Sequence, residues 1–277
     1  MDTQSHQSQQ VPGRPTGPPR DAEVPGPVLF VRYAFPPNQH GYCGPADSAS
    51  FFEYGVTGTV DGGLTALSRQ FAGAWPYLEL IAGATGSPDP LDRRVVEAYW
   101  VGNPLLDHIG VSDIAGSMDQ RFRRRAGSGF SNLAESVLGG GVPHHSFVVF
   151  CVYPWVGLLG DDRRAEQALT VLDRCRIRWG RVLALQGDQV VVESSALTWD
   201  GRLLELGPPQ TETAVRSVDG VGMLPTLEVG DWVSLHWEWV CDRLTDSQLG
   251  SLRHYTRRHL AIVNDGTNQA GPAKVLG

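Results

Sequence analysis

Five residues have types and settings that invite chemistry: Gln39, Cys43, His145, Cys175 and His236. Cys43 lies in Gly41-Tyr42-Cys43-Gly44-Pro45, and residues 46–54 read as a helix with Pro45 near its first position and Gly55 at its end. A thiol at a helix start meets the positive end of the peptide dipoles, which favours the thiolate, so Cys43 is a candidate reactive cysteine. Cys175 and His236 bound a series of short β-type runs: residues 182–185, 189–192 after Gly187-Asp188, 203–206 after Asp200-Gly201, and 229–236. Turn signals at this spacing predict a small barrel. Such a barrel brings a cysteine on its first strand close to a histidine on its last. Each residue also has an ordinary reading: a buried thiol behaving as a small hydrophobe, an imidazole satisfied by a backbone carbonyl, or a thiol tucked under a helix start.

The elements that must position these residues follow from pattern. Residues 28–33 read as a short strand, broken into a loop by Pro36-Pro37-Asn38. Residues 64–71, 75–82 and 91–100 read as helices, the last with Asp89 as cap, Pro90 in the first turn and an apolar side of Val95, Val96, Tyr99 and Trp100. Residues 112–125 and 132–138 read as further helices, and the Arg121-Phe122-Arg123-Arg124-Arg125 cluster as a solvated helix end. Gly139-Gly140-Gly141 is a loop, because no Lys-Ser/Thr pair follows to make a phosphate cradle. The apolar run 147–153 suits a buried strand, and 162–173 a helix leading into Cys175. At the C-terminal end, Thr245-Asp246-Ser247-Gln248 fits a capping box, with Leu249, Leu252, Thr256 and Leu260 near one face of the helix behind it.

Composition bounds the function classes. The formal charge of -7, from 23 basic and 30 acidic residues, supplies neither a basic footprint for nucleic acid nor a cationic face for an anionic membrane. The four cysteines, at 43, 151, 175 and 241, form no C-x-x-C pair, which speaks for reduced thiols in the cytoplasm rather than a disulfide framework. No apolar run has transmembrane length. Residues 1–27 are rich in Pro, Gln, Ser and Gly and read as a disordered tail, and residues 265–277 as a frayed end.

The C-terminal third resembles the HypC family of nickel-iron hydrogenase maturation chaperones. That family begins with a cysteine, has a Gly-basic-Val step, runs through a small β-barrel, and ends in a Gly-Asp-aromatic-Val-x-x-His strand followed by a helix. Here Gly180-Arg181-Val182 follows Cys175, the strand Gly230-Asp231-Trp232-Val233 leads to His236, and residues 240–260 supply the helix. The pattern departs in three places: Cys175 is internal, Trp179 stands where the family has proline, and Glu238 where it has a small residue. The resemblance implies that Cys175 and His236 hold an iron carrying cyanide and carbon monoxide, an Fe(CN)2CO unit, on its way to the hydrogenase large subunit. A thiolate is a suitable soft ligand and an imidazole a suitable second donor. The implied partners are the large-subunit precursor and the HypD-type assembly protein, and the whole chain is also similar to an uncharacterised actinobacterial family found with hydrogenase genes.

The N-terminal half resembles something else. Gln39-His40-Gly41-Tyr42-Cys43-Gly44-Pro45-Ala46, with His145-Ser146-Phe147-Val148-Val149 far downstream, is similar to papain-like cysteine peptidases of the bacteriocin-processing type. That likeness implies a Cys43 nucleophile, a His145 base at a strand start, and Gln39 binding an oxyanion. A third arrangement joins Cys43 and His144 or His145 to Cys175 in one composite site. The expected fold is α+β: a mostly helical N-terminal domain over residues 28–172, then a small OB-like β-barrel with a C-terminal helix over 173–264. The barrel segment, from about residue 171 onward, is expected to fold by itself. The expected function is an accessory role in hydrogenase maturation, with a cysteine hydrolase as the alternative.

Overall fold

The computed structural model describes residues 23–117, 135–224 and 226–267. Five helices open the chain: α1 (Gly26–Gln39), α2 (Ser48–Thr57), α3 (Gly62–Ser68), α4 (Trp75–Thr85) and α5 (Arg93–Trp100). A helical turn at His145–Phe147 runs into a π-turn at Val148–Val152, and α6 (Ala165–Cys175) leads into the sheet. The strands are β1 (Arg178–Gln186), β2 (Gln189–Trp199), β3 (Leu204–Val215), β4 (Trp232–His236) and β5 (Trp239–Arg243), and α7 (Asp246–Thr267) closes the sequence of elements. The fold is therefore mixed α and β, with helices, a five-stranded sheet and a C-terminal helix, as expected at that level.

Residues 28–33 are not a strand. They belong to α1, which starts with Pro27 in its first turn and carries Pro36 and Pro37 in its last, so the helix ends at Gln39. Almost every side chain from Val28 to Asn38 is buried, and a segment apolar on all sides shows no period from which helix and strand can be told apart. The same ambiguity explains residues 147–153, which form the helical and π turns instead of a buried strand. Because α1 begins at Gly26, the expected tail cannot extend to residue 27; residues 1–22 lie outside the described part, as do the Arg121–Arg125 cluster and residues 268–277.

The sheet order is β1-β2-β3-β5-β4, and β4 pairs back onto β1, so the pairing returns on itself. The β3–β5 link is one parallel pair, Val215 with Trp239; the other neighbours are antiparallel. Val182, Val190, Val192, Ala214, Leu227, Val233, Leu235 and Val240 form one buried apolar cluster on the sheet. Strand β5 went unforeseen, since residues from 240 onward read as helix. Its turn from β4 is Trp237-Glu238, and Trp237 adopts φ 53°, the left-handed backbone usually left to Gly or Asn, so the turn carries no sequence signal.

Helix α7 matches its expected start. Gln248 N donates to Thr245 Oγ1 and Thr245 N donates to Gln248 Oε1, the reciprocal bonds of a capping box. Leu249, Leu252, Thr256 and Leu260 are buried. The helix runs past the fraying expected after Asn264, on to Thr267, and Asn264 bonds both the N–H and the carbonyl of Leu204.

The two expected domains share a core. One apolar cluster joins Phe30, Tyr33, Trp100 and Phe147 to Ile177, Trp179, Trp239, Cys241, Leu249 and Leu252, and the boundary expected at 172/173 falls inside α6. Arg32 on α1, itself buried, pairs with Asp242 on β5 at 2.9 Å. Among the described residues no helix is long and apolar enough to cross a membrane.

Candidate functional site

Cys175 is the last residue of α6 and His236 the last of β4. They meet because β4 lies beside β1, with Leu235 opposite Arg178. His145 arrives from the helical turn, and one ligand atom from each of His145, Cys175 and His236 lies within 4.8 Å of the others. The two histidines are buried and Cys175 is half-buried. Their rings stack edge-on with centroids 5.2 Å apart, and Trp100 covers both, at 4.5 Å from His145 and 5.6 Å from His236.

Each imidazole has a partner that orients it. His236 Nδ1 donates to the Tyr33 carbonyl at 2.6 Å, which leaves Nε2 a bare lone pair, buried and without a hydrogen-bond partner. His145 Nε2 lies 2.8 Å from the Cys175 carbonyl, and its Nδ1 lies 3.2 Å from the Tyr99 hydroxyl, which also reaches the Gly73 carbonyl at 3.1 Å. The turn that carries His145 is fixed to α7 by Ser146, whose Oγ lies 2.8 Å from His144 Nδ1 and 2.7 Å from His259 Nδ1.

Burial sets the protonation states. Desolvation lowers His145 to about 4 and His144 to about 3, and pushes His236 well below the usual histidine range, with the His145 charge opposing it further. The Cys175 thiol is pushed up to about 12 by burial, with Cys43 adding to the shift. The site at neutral pH is thus two neutral imidazoles and a thiol, the donor set from which a cation displaces a single proton.

Arg178 braces the two segments that bear Cys175 and His236. Its Nη1 donates to the Asp173 carbonyl at 3.4 Å, and its Nη2 to the Trp237 carbonyl at 2.7 Å and to Glu212 at 3.2 Å. Trp237 N donates in turn to the Arg174 carbonyl at 2.8 Å. The brace was not foreseen: Arg176 and Arg178 alternate with Ile177, a pattern that ordinarily reads as cations on the solvent face, whereas all three are buried.

The local features expected of the peptidase arrangement are not the ones found. Helix α2 starts at Ser48, capped by Asp47, so Cys43 lies in the preceding turn and not at a helix N-terminus. Its thiol is pushed up to about 12 by burial, the opposite of the expected depression. Both His145 nitrogens face Cys175 and Tyr99, and His145 opens a helical turn, not a strand. Gln39 Oε1 accepts from Trp239 Nε1 at 2.9 Å and is committed to packing. The turn bearing Cys43 is nonetheless tied close by: Asn38 Nδ2 donates to the Cys43 carbonyl at 2.8 Å, and Tyr42 packs on Trp237, the residue after His236, at 4.7 Å.

No curated protein and no solved structure matches the chain. A family model described as a family of unknown function, DUF6390, matches residues 22–270, and the chain therefore belongs to that family.

Proposed function

We propose that this protein is an accessory factor of nickel-iron hydrogenase maturation. It holds a metal cargo at Cys175 and His236, an iron carrying cyanide and carbon monoxide, and passes it toward the large subunit. The observation that supports this reading is the meeting of Cys175 and His236: the two positions singled out by the resemblance to HypC chaperones lie far apart in sequence, yet share one cluster of ligand atoms. The return of β4 onto β1 that brings them together is what a small OB-like barrel requires, and we read the sheet as one. The large-subunit precursor and the HypD-type assembly protein are the partners this role implies. In this reading the protein has no turnover of its own.

Infrared spectroscopy tests the proposal. Protein isolated without oxygen from cells producing the hydrogenase and its maturation factors is expected to show bands of iron-bound cyanide and carbon monoxide. Cys175→Ala is expected to abolish them. Their absence from the wild-type protein under these conditions would remove the cargo role.

A further inference from the structure

The donor set is larger than the Cys175–His236 pair, because His145 reaches it from a turn outside the segment that resembles the chaperones. We propose that His145, Cys175 and His236 together chelate a single divalent cation of borderline softness, of the zinc class, in a three-ligand site. This deepens the metal-holding reading and rests on it, but needs no hydrogenase.

The donor chemistry selects the cation. One sulfur and two imidazole nitrogens suit borderline and soft first-row ions, whereas magnesium and calcium need oxygen donors, and no carboxylate belongs to the cluster. Three protein ligands also leave one coordination position for water or cargo.

The histidines are arranged for ligation beyond their closeness. His236 is fully buried, its Nδ1–H is engaged by the Tyr33 carbonyl, and its Nε2 has no partner. A bare buried acceptor costs free energy in a purely structural histidine, and a cation at that lone pair removes the cost. His145 has a partner for either tautomer. With Nε2 protonated it donates to the Cys175 carbonyl; with Nδ1 protonated it donates to Tyr99 Oη, whose own hydrogen passes to the Gly73 carbonyl, and Nε2, once released from the Cys175 carbonyl, offers its lone pair to a cation. Carbonyl and hydroxyl groups behind the imidazoles are the outer support that metal-binding histidines require. On binding, the Cys175 S–H bond breaks, a sulfur–metal bond forms and the proton leaves to solvent.

Anaerobic titration of the full chain with Co2+, followed by absorption, tests the site. The expected result is one equivalent bound, with a near-ultraviolet sulfur-to-cobalt band and visible d–d bands, both lost on addition of Zn2+. Cys175→Ser is expected to remove the near-ultraviolet band, and His145→Gln and His236→Gln to weaken binding by about tenfold or more. The glutamine variants keep a polar group in place where alanine could unfold the site, and circular dichroism verifies their fold. A wild-type protein without the sulfur-to-cobalt band, or His145→Gln binding as tightly as wild type, would overturn the chelate. Cobalt binding without the infrared bands keeps the chelate and sinks the cargo role. Infrared bands in the wild type together with cobalt binding that His145→Gln leaves unchanged do the reverse.

Discussion

Arg178 Nη2 donates to the carbonyl of Trp237 at 2.7 Å, and this bond ties the strand that begins just after Cys175 to the turn that begins just after His236. The guanidinium is buried and is balanced by Glu212, which also takes Arg174 at 2.9 Å. Arg178→Met would leave a mostly buried carboxylate with one exposed cation. A loss of about 3 kcal/mol in unfolding free energy is expected by denaturant titration, at the low end for a broken buried pair because Arg174 remains. Cobalt affinity should fall in the same variant, since both ligand-bearing segments lose a shared anchor. Unchanged stability would mean that the brace contributes nothing.

Tyr99→Phe removes the hydroxyl behind His145 while keeping the ring, which stacks on Tyr77 and meets Trp100 edge-on. The expected outcome is a near-native thermal midpoint with metal affinity lowered by about tenfold to a hundredfold, the usual effect of deleting an outer partner of a ligating histidine. Equal affinities for Co2+ in the two proteins would show that the hydroxyl does not support the ligand.

Acid stability follows from the buried histidines. His144 and His145 are lowered to about 3 and about 4, and His236 and His259 lie well below the usual range, all chiefly through burial. In the unfolded chain each titrates near 6.5. Below that pH the unfolded state binds protons that the folded state does not, so stability present at neutral pH is lost as pH falls from about 6.5 toward the folded values. Metal-free protein is expected to lose about 1.4 kcal/mol per pH unit for each histidine that contributes. Denaturant midpoints between pH 7 and pH 5 measure this, and a flat profile would contradict burial of the neutral rings.

Cys43 and Cys175, both pushed up to about 12, should be poor nucleophiles. Alkylation by iodoacetamide at pH 8 is expected to be at least about a hundredfold slower than for a free thiol of pKa about 8.5. Rapid labelling of Cys43 at neutral pH would restore the case for a cysteine hydrolase.

Residues 171–277 alone are expected to be poorly folded, contrary to what the pattern of a complete barrel and helix suggests. Trp239, Cys241, Leu249 and Leu252 pack into the cluster built on α1 and α5, and Arg32 would no longer meet Asp242. Circular dichroism and size-exclusion of the isolated segment decide it, and a cooperative, monomeric unfolding transition would show two separable domains.

Local chemistry was legible where it is spelled locally. The capping box at Thr245 and Gln248, the Gly187-Asp188 turn of the first hairpin and the amphipathic run from Val95 to Trp100 fix their own backbone through short-range bonds and periodicity and formed in place, although the helix of that run starts at Arg93 and is capped by Asp92 instead of Asp89. The placing of Cys175 and His236 was legible only in part: Cys175 ends a helix instead of lying on the first strand, and β5 follows the strand that ends in His236. What sequence could not determine lies where burial is uniform or partners are distant. An all-buried α1 has no period to read, and Trp237 adopts a glycine-like backbone without glycine. The meeting of His145 with Cys175 and His236 was decided only when α1, α5, the His145 turn and the sheet closed on one core. Ligand geometry is a property of that packing, since neither spacing nor residue type specifies which buried side chains end within reach of one another.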